Sequence, residues 1–135
     1  MVFLDASAII YLLEGDRTVR QATQTILAGL ATSRVEPALA ISALSLLECR
    51  VHPMRHGDHE RLERFDEFFQ DPGLVTIELD RTIIDQATRL RAQHRLRTPD
   101  ALQAASCLAI DPQIPFVTGD KDFQKLTGLN THLID

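Results

Sequence analysis

Several features are scarce or absent in this chain of 135 residues, and each absence argues against certain classes of protein. There is no tryptophan and one tyrosine, whereas Leu, Ile, Val and Ala are plentiful, a composition that suits helices packed on a sheet. No apolar run reaches the roughly 18 residues of a membrane-spanning helix. The first residues include neither a basic segment nor a small-residue cleavage site, so we expect no signal peptide.

Cysteine is also scarce. Cys49 and Cys107 lie far apart and outside any CxxC pattern, which predicts buried thiols in a reducing cytoplasm rather than a disulfide. The chain has no glycine-rich phosphate loop and no Ser-His-Asp order that geometry supports. His52, His56 and His59 are spaced like zinc ligands, but Pro53 and Gly57 interrupt a helix across them. We therefore expect a solvated turn there.

Positive charge is not in excess. The chain has 14 Lys and Arg against 19 Asp and Glu, a net charge of −5. This balance argues mildly against a sequence-independent nucleic-acid binder, which usually has a basic face. If four of the carboxylates hold a cation, however, the rest of the surface is close to neutral. Net charge alone therefore does not decide the substrate.

Apolar runs and helical patterns alternate along the chain. Strands are predicted at residues 2–4, 39–41, 74–79, 116–118 and 131–134. Helices are predicted between them, at residues 7–13, 18–33, 43–52, 59–70, 81–93, 99–110 and 122–126. This alternation predicts an α/β three-layer fold with a central, mainly parallel sheet of about five strands flanked by helices. With no repeat or linker, residues 1–135 are expected to form one domain.

Local signals predict where two of these helices begin or end. Ser42 is a good N-cap for the helix that carries Glu48, and Pro53 should end that helix. Thr98 is expected as the N-cap of a later helix, with Pro99 in its first turn, where the missing N–H is harmless.

Acidic residues follow the predicted strands. Asp5 and Asp120 each come directly after a strand, and Asp100 lies in the first turn of an apolar helix. Since ligands gather beyond the carboxyl ends of parallel strands, we expect these three carboxylates to converge. Glu48 shares a helical stripe with Leu44 and Val51, which should face inward.

Each acidic residue also has a simple structural explanation. Asp5 could cap a helix, Asp100 could interact with a helix dipole, and Asp120 could stabilise a turn. Glu48 could form a buried salt bridge, with Arg50 or Arg97 as its partner. Jointly, these explanations require four coincidences at one edge of the sheet. Because unpaired buried carboxylates cost several kcal/mol, a divalent cation bound by all four is the better interpretation.

The segments that carry these residues resemble the PIN-domain family, most closely its VapC-like toxin branch. The matching segments are residues 3–8, the helix with Glu48, residues 99–105 and residues 117–123. The resemblance implies a Mg²⁺- or Mn²⁺-dependent endoribonuclease, commonly dimeric, that a VapB-like antitoxin neutralises. It also implies catalytic and metal-binding roles for four residues, namely Asp5, Glu48, Asp100 and Asp120. Supporting roles would belong to Ser7, Thr118 and, less regularly, Asp122.

The expected substrate is single-stranded or looped RNA, since a recessed acidic site does not reach into the deep groove of an A-form helix. Candidate phosphate contacts are Arg50, Arg55, Arg95, Arg97 and Lys121. Two other functions remain open. A phosphotransferase of the haloacid-dehalogenase type also begins with a strand-end Asp, but it requires a second Asp at position 7, where this chain has Ser7. A non-catalytic module could use the same groove only to bind RNA or a partner.

Overall fold

A five-stranded parallel sheet forms the centre of the molecule. The computed structural model describes residues 1–31 and 36–135. The strands are β1 (Val2–Leu4), β2 (Leu39–Ser42), β3 (Val75–Ile77), β4 (Phe116–Thr118) and β5 (Thr131–Leu133). They pair in the order β3-β2-β1-β4-β5, and every pairing is parallel. The predicted fold class is confirmed.

Helices cover both faces of this sheet. They are α1 (Ala6–Glu14), α2 (Arg17–Leu30), α3 (Leu44–Arg55), α4 (His59–Phe69), α5 (Arg81–Gln93) and α6 (Thr98–Ile110). A short 3₁₀ helix, Lys121–Lys125, precedes β5. The second helix ends earlier than predicted, because Ala31 is extended. Of the predicted residues beyond that point, 32 and 33 lie outside the described part of the chain.

Alternation along the central strand separates two cores. Val2 and Leu4 pack with Ile9 of α1 and Phe65 of α4. Phe3 points to the opposite face, where its ring stacks on that of Phe116 with centroids 5.4 Å apart. Because successive side chains of a strand point to opposite faces, three residues of β1 serve both helical layers.

The prediction that Pro53 ends its helix is wrong. The α3 helix continues to Arg55, and the Pro53 side chain is buried. Its missing N–H removes one helical hydrogen bond, and burial of the ring against the core offsets that loss. The helix ends at His56 instead, and the carbonyl of Pro53 accepts a hydrogen bond from the N–H of Asp58 at 2.8 Å.

Two predicted N-caps are displaced by one residue. Ser42 is the last residue of β2 and Ala43 is the N-cap, although the Ser42 hydroxyl still accepts the N–H of Leu44 at 3.2 Å. Thr98 is the first residue of α6, and Arg97 precedes it as the N-cap. In both cases the backbone enters helical geometry at a different residue from the one that the side-chain preference indicates.

The inward stripe predicted for α3 is also wrong. Its buried face is formed by Ser45, Cys49 and Pro53, whereas the Val51 side chain is 43% exposed. Glu48 therefore lies at the boundary of the buried face. The small buried residues let α3 approach its neighbours closely, which hydrophobicity alone does not predict.

Both cysteines are buried free thiols, as predicted. Burial raises the pKa of Cys49 and of Cys107 to about 12, so both stay protonated at neutral pH. In the described ranges, no helix combines the length and the apolar character needed to cross a membrane.

Candidate active site at the carboxyl edge of the sheet

Asp5 is the most constrained carboxylate at this edge. It follows β1, is only 4% exposed and is the N-cap of α1. Its Oδ1 accepts hydrogen bonds from the Ser7 hydroxyl at 2.6 Å and from the Ala8 N–H at 2.9 Å, while its Oδ2 accepts one from the Thr118 hydroxyl at 2.6 Å. The capping interpretation of Asp5 is thus correct, but capping uses only one of its three hydrogen bonds.

Ser7 and Thr118 connect the loops that follow β1 and β4. The Ser7 hydroxyl accepts the N–H of Gly119 at 2.9 Å, and the Thr118 hydroxyl accepts the N–H of Asp120 at 3.0 Å. Both hydroxyls therefore accept a backbone N–H from the second loop while they donate to Asp5. This arrangement fixes the orientation of the carboxylate.

Gly119 is required by a close approach to α1. A Cβ atom at this position would overlap the ring of Tyr11. The absence of a side chain lets the loop after β4 lie against the first helix. This brings the backbone N–H of residue 119 within reach of the Ser7 hydroxyl.

Burial dominates the electrostatics of Asp5. It raises the pKa of this carboxyl to about 6, against the opposing effect of the hydrogen bonds from Ser7, Thr118 and Ala8. The negative charge of Glu48 raises the pKa further. Asp5 is therefore held in an environment that is short of positive charge.

Asp100 and Asp120 share a cation. Arg97 Nε lies 3.3 Å from Asp100 Oδ2, and Arg97 Nη2 lies 4.0 Å from Asp120 Oδ2. Burial raises the pKa of Asp100, and Arg97 partly opposes this shift. The Arg97 side chain is 75% exposed, so it lies over the two carboxylates from the solvent side.

The carboxylate of Asp120 also caps the 3₁₀ helix by accepting the N–H of Asp122 at 2.9 Å, as the turn interpretation predicts. The side chain of Asp122 itself is exposed and lies 3.8 Å from Lys125. Asp122 is thus less tightly connected to the edge than the other acidic residues.

Glu48 is held by a neutral amide. Gln103 Nε2 donates to Glu48 Oε1 at 2.8 Å and lies 3.0 Å from the Ser45 hydroxyl oxygen. The expected salt bridges of Glu48 are wrong, because Arg50 pairs with Asp66 at 3.5 Å and Arg97 pairs with Asp100. A carboxylate held by an amide keeps its negative charge uncompensated.

Gln103 was missed by the sequence interpretation. It is 2% exposed, and its Oε1 is buried without a hydrogen-bond partner among the described residues. One signal could have identified it. A single amide in the otherwise apolar helix of residues 101–110 must find polar partners when that helix is buried.

The four carboxylates lie at one edge as two pairs, Asp5 with Glu48 and Asp100 with Asp120. Within residues 1–31 and 36–135, no three His, Cys, Asp or Glu side chains are close enough together to hold a metal ion. Asp100 and Asp120 lie together around Arg97, but Asp5 does not form the predicted cluster with them among the described residues. The chemistry of the donors fits a hard divalent cation, because all four are carboxylates and the two most buried have raised pKa values.

Basic residues differ in their availability for phosphate. Arg50 and Arg97 are engaged with carboxylates. Exposed positions without an ion pair to the described residues are Arg55, Arg95 and Lys121. His52, His56 and His59 are exposed, as predicted, but His52 lies in α3 and His59 begins α4, so the expected turn is confined to residues 56–58.

One protein-family model matches most of the chain. The family model described as PIN domain matches residues 2–129. No curated protein matches the chain. Among solved structures, the chain is similar to a toxin–antitoxin complex from Klebsiella pneumoniae, with 21% identity, a TM-score of 0.73 and coverage of 96% of this chain and 95% of that chain.

Two further structures share the fold. VapBC2 from Rickettsia felis, bound to a DNA fragment from its promoter, has 18% identity and a TM-score of 0.77, and both chains are covered completely. VapC20 from Mycobacterium tuberculosis, described as a toxin that cleaves the sarcin–ricin loop, has 15% identity and a TM-score of 0.73, with coverage of 96% of this chain and 98% of that chain.

The raised pKa of Asp5 predicts a pH-dependent effect of Asp5→Asn on stability. The folded protein holds the Asp5 proton more tightly than the unfolded chain, so ionisation of this group lowers stability as pH rises from about 4 through about 6. The difference between 3.8 and about 6 corresponds to about 3 kcal/mol. Without divalent ions, Asp5→Asn should therefore melt above the parent, by a clearly larger margin at pH 7.5 than at pH 4.5.

Thermal melting of both proteins in chelator-treated buffer measures this difference. A variant that melts well below the parent at pH 7.5 would show that Asp5 is mainly a structural cap.

The Gln103 contact predicts coupling with Glu48. Gln103→Met leaves the half-buried carboxylate and the Ser45 hydroxyl without their donor, which should lower the free energy of unfolding by about 1–3 kcal/mol. After Glu48→Ala, the same change should cost less, because the carboxylate no longer needs a partner. Urea denaturation of the two single variants and the double variant measures this coupling. Strictly additive losses would show that Gln103 does not hold Glu48.

Proposed function

The chain belongs to the PIN-domain family, and from that premise we propose that it is a divalent-metal-dependent endoribonuclease and the toxin of a toxin–antitoxin pair. The observation that carries the proposal is the buried Asp5 carboxylate at the carboxyl edge of the sheet, which only neutral donors hold and whose pKa burial raises to about 6. The proposal treats residues 1–135 as one nuclease domain that acts on RNA in the cytoplasm.

The ion, Mg²⁺ or Mn²⁺, would be held by the four carboxylates after the two pairs move closer together than they lie in this structure. Asp5 and Asp100 are proposed as its most direct ligands, and Glu48 and Asp120 as direct or water-mediated ligands. When bound, such an ion lowers the pKa of a coordinated water and neutralises charge on the phosphate oxygens. Ser7 and Thr118 orient the Asp5 carboxylate through their 2.6 Å hydrogen bonds, and Gln103 orients that of Glu48.

Arg97 has two partners in this proposal. In the free protein it balances Asp100 and Asp120. Because its side chain is largely exposed, it can turn towards a phosphate of the incoming strand, for which a guanidinium is a good bidentate partner. Arg55, Arg95 and Lys121 would supplement it along the strand, and Asp122 would support the loop that carries Asp120.

The alternative functions are less well supported. A haloacid-dehalogenase-type phosphotransferase needs a second carboxylate at position 7, whereas the Ser7 hydroxyl donates a hydrogen bond to Asp5. A non-catalytic binding module gives no reason for acidic side chains to be buried at the strand ends. The hydrolysis experiment below separates the nuclease from this module.

The proposed partners are a VapB-like antitoxin and a second copy of the chain. One of the compared structures is named as a toxin–antitoxin complex and another as VapBC2, which supports the first. The homodimer rests on the VapC-like resemblance.

We expect RNA hydrolysis that requires an added divalent ion. Single-stranded RNA should be cleaved with Mg²⁺ or Mn²⁺ and left intact in excess EDTA. Asp5→Asn and Asp100→Asn should each lower the cleavage rate at least a hundredfold, on the order of 3 kcal/mol of lost transition-state stabilisation. A gel assay with end-labelled RNA measures these rates.

Asp85→Asn is the matched control, since it removes an exposed carboxylate of α5 and should cleave at the parental rate. Full activity in EDTA would contradict the metal requirement. Equal activity of Asp5→Asn and Asp85→Asn would show that the acidic edge is not the active site.

Expression of the chain without a partner should arrest bacterial growth. The Asp5→Asn variant, expressed to the same level, should permit growth, because the cleavage of cellular RNA is lost. Optical density after induction, with the protein level checked by immunoblot, measures the effect. Normal growth with abundant parental protein would argue for a nuclease without a toxin role.

A further inference from the structure

A small cavity lies beside the acidic edge, between α1, α3 and α4. Its volume is about 190 Å³. Phe65 and Pro53 contribute an apolar floor, and the polar residues of its wall are Glu14, Glu48, His52 and Arg61. Because Glu48 belongs to both the cavity and the acidic edge, a ligand in the cavity lies next to the proposed catalytic residues.

The outer wall of this cavity carries a fixed charge network. The Glu14 side chain is only 10% exposed and accepts hydrogen bonds from Arg64 at 2.6 and 3.1 Å and from Arg61 Nε at 3.2 Å. These two arginines hold the pKa of the Glu14 carboxyl below its usual range, so it remains charged. Asp58 Oδ2 also lies 3.9 Å from Arg61 Nε, so two carboxylates balance the two guanidinium groups and the network holds Arg61 in place.

Arg61 retains unused donors. Its Nε contacts Glu14 and lies 3.9 Å from Asp58 Oδ2, and its two terminal nitrogens make no hydrogen bond to the described residues. Arg64, in contrast, uses two nitrogens on Glu14 and does not line the cavity. Glu14 therefore positions Arg61. The two terminal nitrogens of Arg61 are free to bind a ligand.

We propose that this cavity binds one nucleobase of the RNA substrate, next to the cleaved phosphate, and that it selects guanine. The inference rests on the proposed nuclease function for the identity of the ligand class. An apolar floor suits the flat face of a base, and the exposed His52 ring at the rim offers a stacking surface. The volume suffices for one base and not for two.

The polar groups of the wall match guanine better than the other bases. Guanine presents two neighbouring acceptors, O6 and N7, which the free nitrogens of an arginine bind as a pair. Its N2 amino group is a donor that a carboxylate such as Glu48 accepts. An aliphatic side chain of a protein partner would contact the apolar floor but would give Arg61 and Glu48 no new hydrogen bonds. The polar residues of the cavity therefore favour a nucleobase.

Binding to short RNAs tests this inference without requiring cleavage. The protein is the Asp5→Asn variant in metal-free buffer, and the probes are labelled uridine hexamers with guanine, 7-deazaguanine, hypoxanthine or adenine at one central position. Guanine should bind about 5- to 100-fold more tightly than adenine. Loss of N7 or of the amino group should each weaken binding. Fluorescence anisotropy measures the dissociation constants.

Arg61→Gln and Arg64→Gln, each combined with Asp5→Asn, form a matched pair, because both remove a contact to Glu14 but only Arg61 lines the cavity. Arg61→Gln should abolish the preference for guanine, and Arg64→Gln should retain it. Thermal melting of both variants establishes that they are folded. Ile10→Phe, which fills the cavity from α1, should abolish the preference while leaving Arg61 in place.

The outcomes separate this inference from the proposed function. Equal binding of all four hexamers, or equal loss of preference in both arginine variants, would overturn the base-binding role. The base-binding role would also be overturned if Arg61 variants bind a protein partner more weakly but bind RNA unchanged. If guanine selection is found but the parent protein cleaves no RNA, the nuclease proposal fails and the base-binding role stands. If RNA is cleaved equally well whatever the base, and with or without Arg61, the base-binding role fails and the nuclease proposal stands.

Discussion

The hydrogen bonds of the Asp5 carboxylate are the interaction on which the site depends. They join the end of β1 to the start of α1 through Ser7 and Ala8, and to the end of β4 through Thr118. A buried carboxylate is tolerated here because three donors partly replace its hydration, and the remaining deficit appears as a raised pKa. The same contacts therefore stabilise the fold locally and keep an anion ready for a cation.

Charge compensation differs along the edge. Asp5 and Glu48 meet only neutral donors, whereas Asp100 and Asp120 share Arg97. The first pair thus stays attractive to a cation, and the second is partly balanced by the exposed side chain of Arg97. A ligand that brings its own positive charge competes with Arg97, while a phosphate attracts it.

The alternation of strands and helices sufficed to predict the fold, and strand-end acids sufficed to predict which residues share an edge. Other features needed the three-dimensional structure. Pro53 stays within its helix because packing of its ring offsets a lost hydrogen bond, and Val51 is exposed because small residues form the buried face of α3. The Gln103 contact with Glu48 joins residues 55 positions apart, and no local pattern specifies such a pairing.

The separation of Asp5 and Thr118 along the chain has a consequence for the timing of synthesis. These residues are 113 positions apart, yet their hydrogen bond fixes the most buried carboxylate of the site. During translation, β1 emerges first and lacks β4, its neighbour in the sheet, until that strand has also emerged. A nascent chain therefore lacks an ordered acidic edge until β4 has left the ribosome. The emergence of β4, rather than the folding of the first helices, sets the moment at which any activity of this edge can begin.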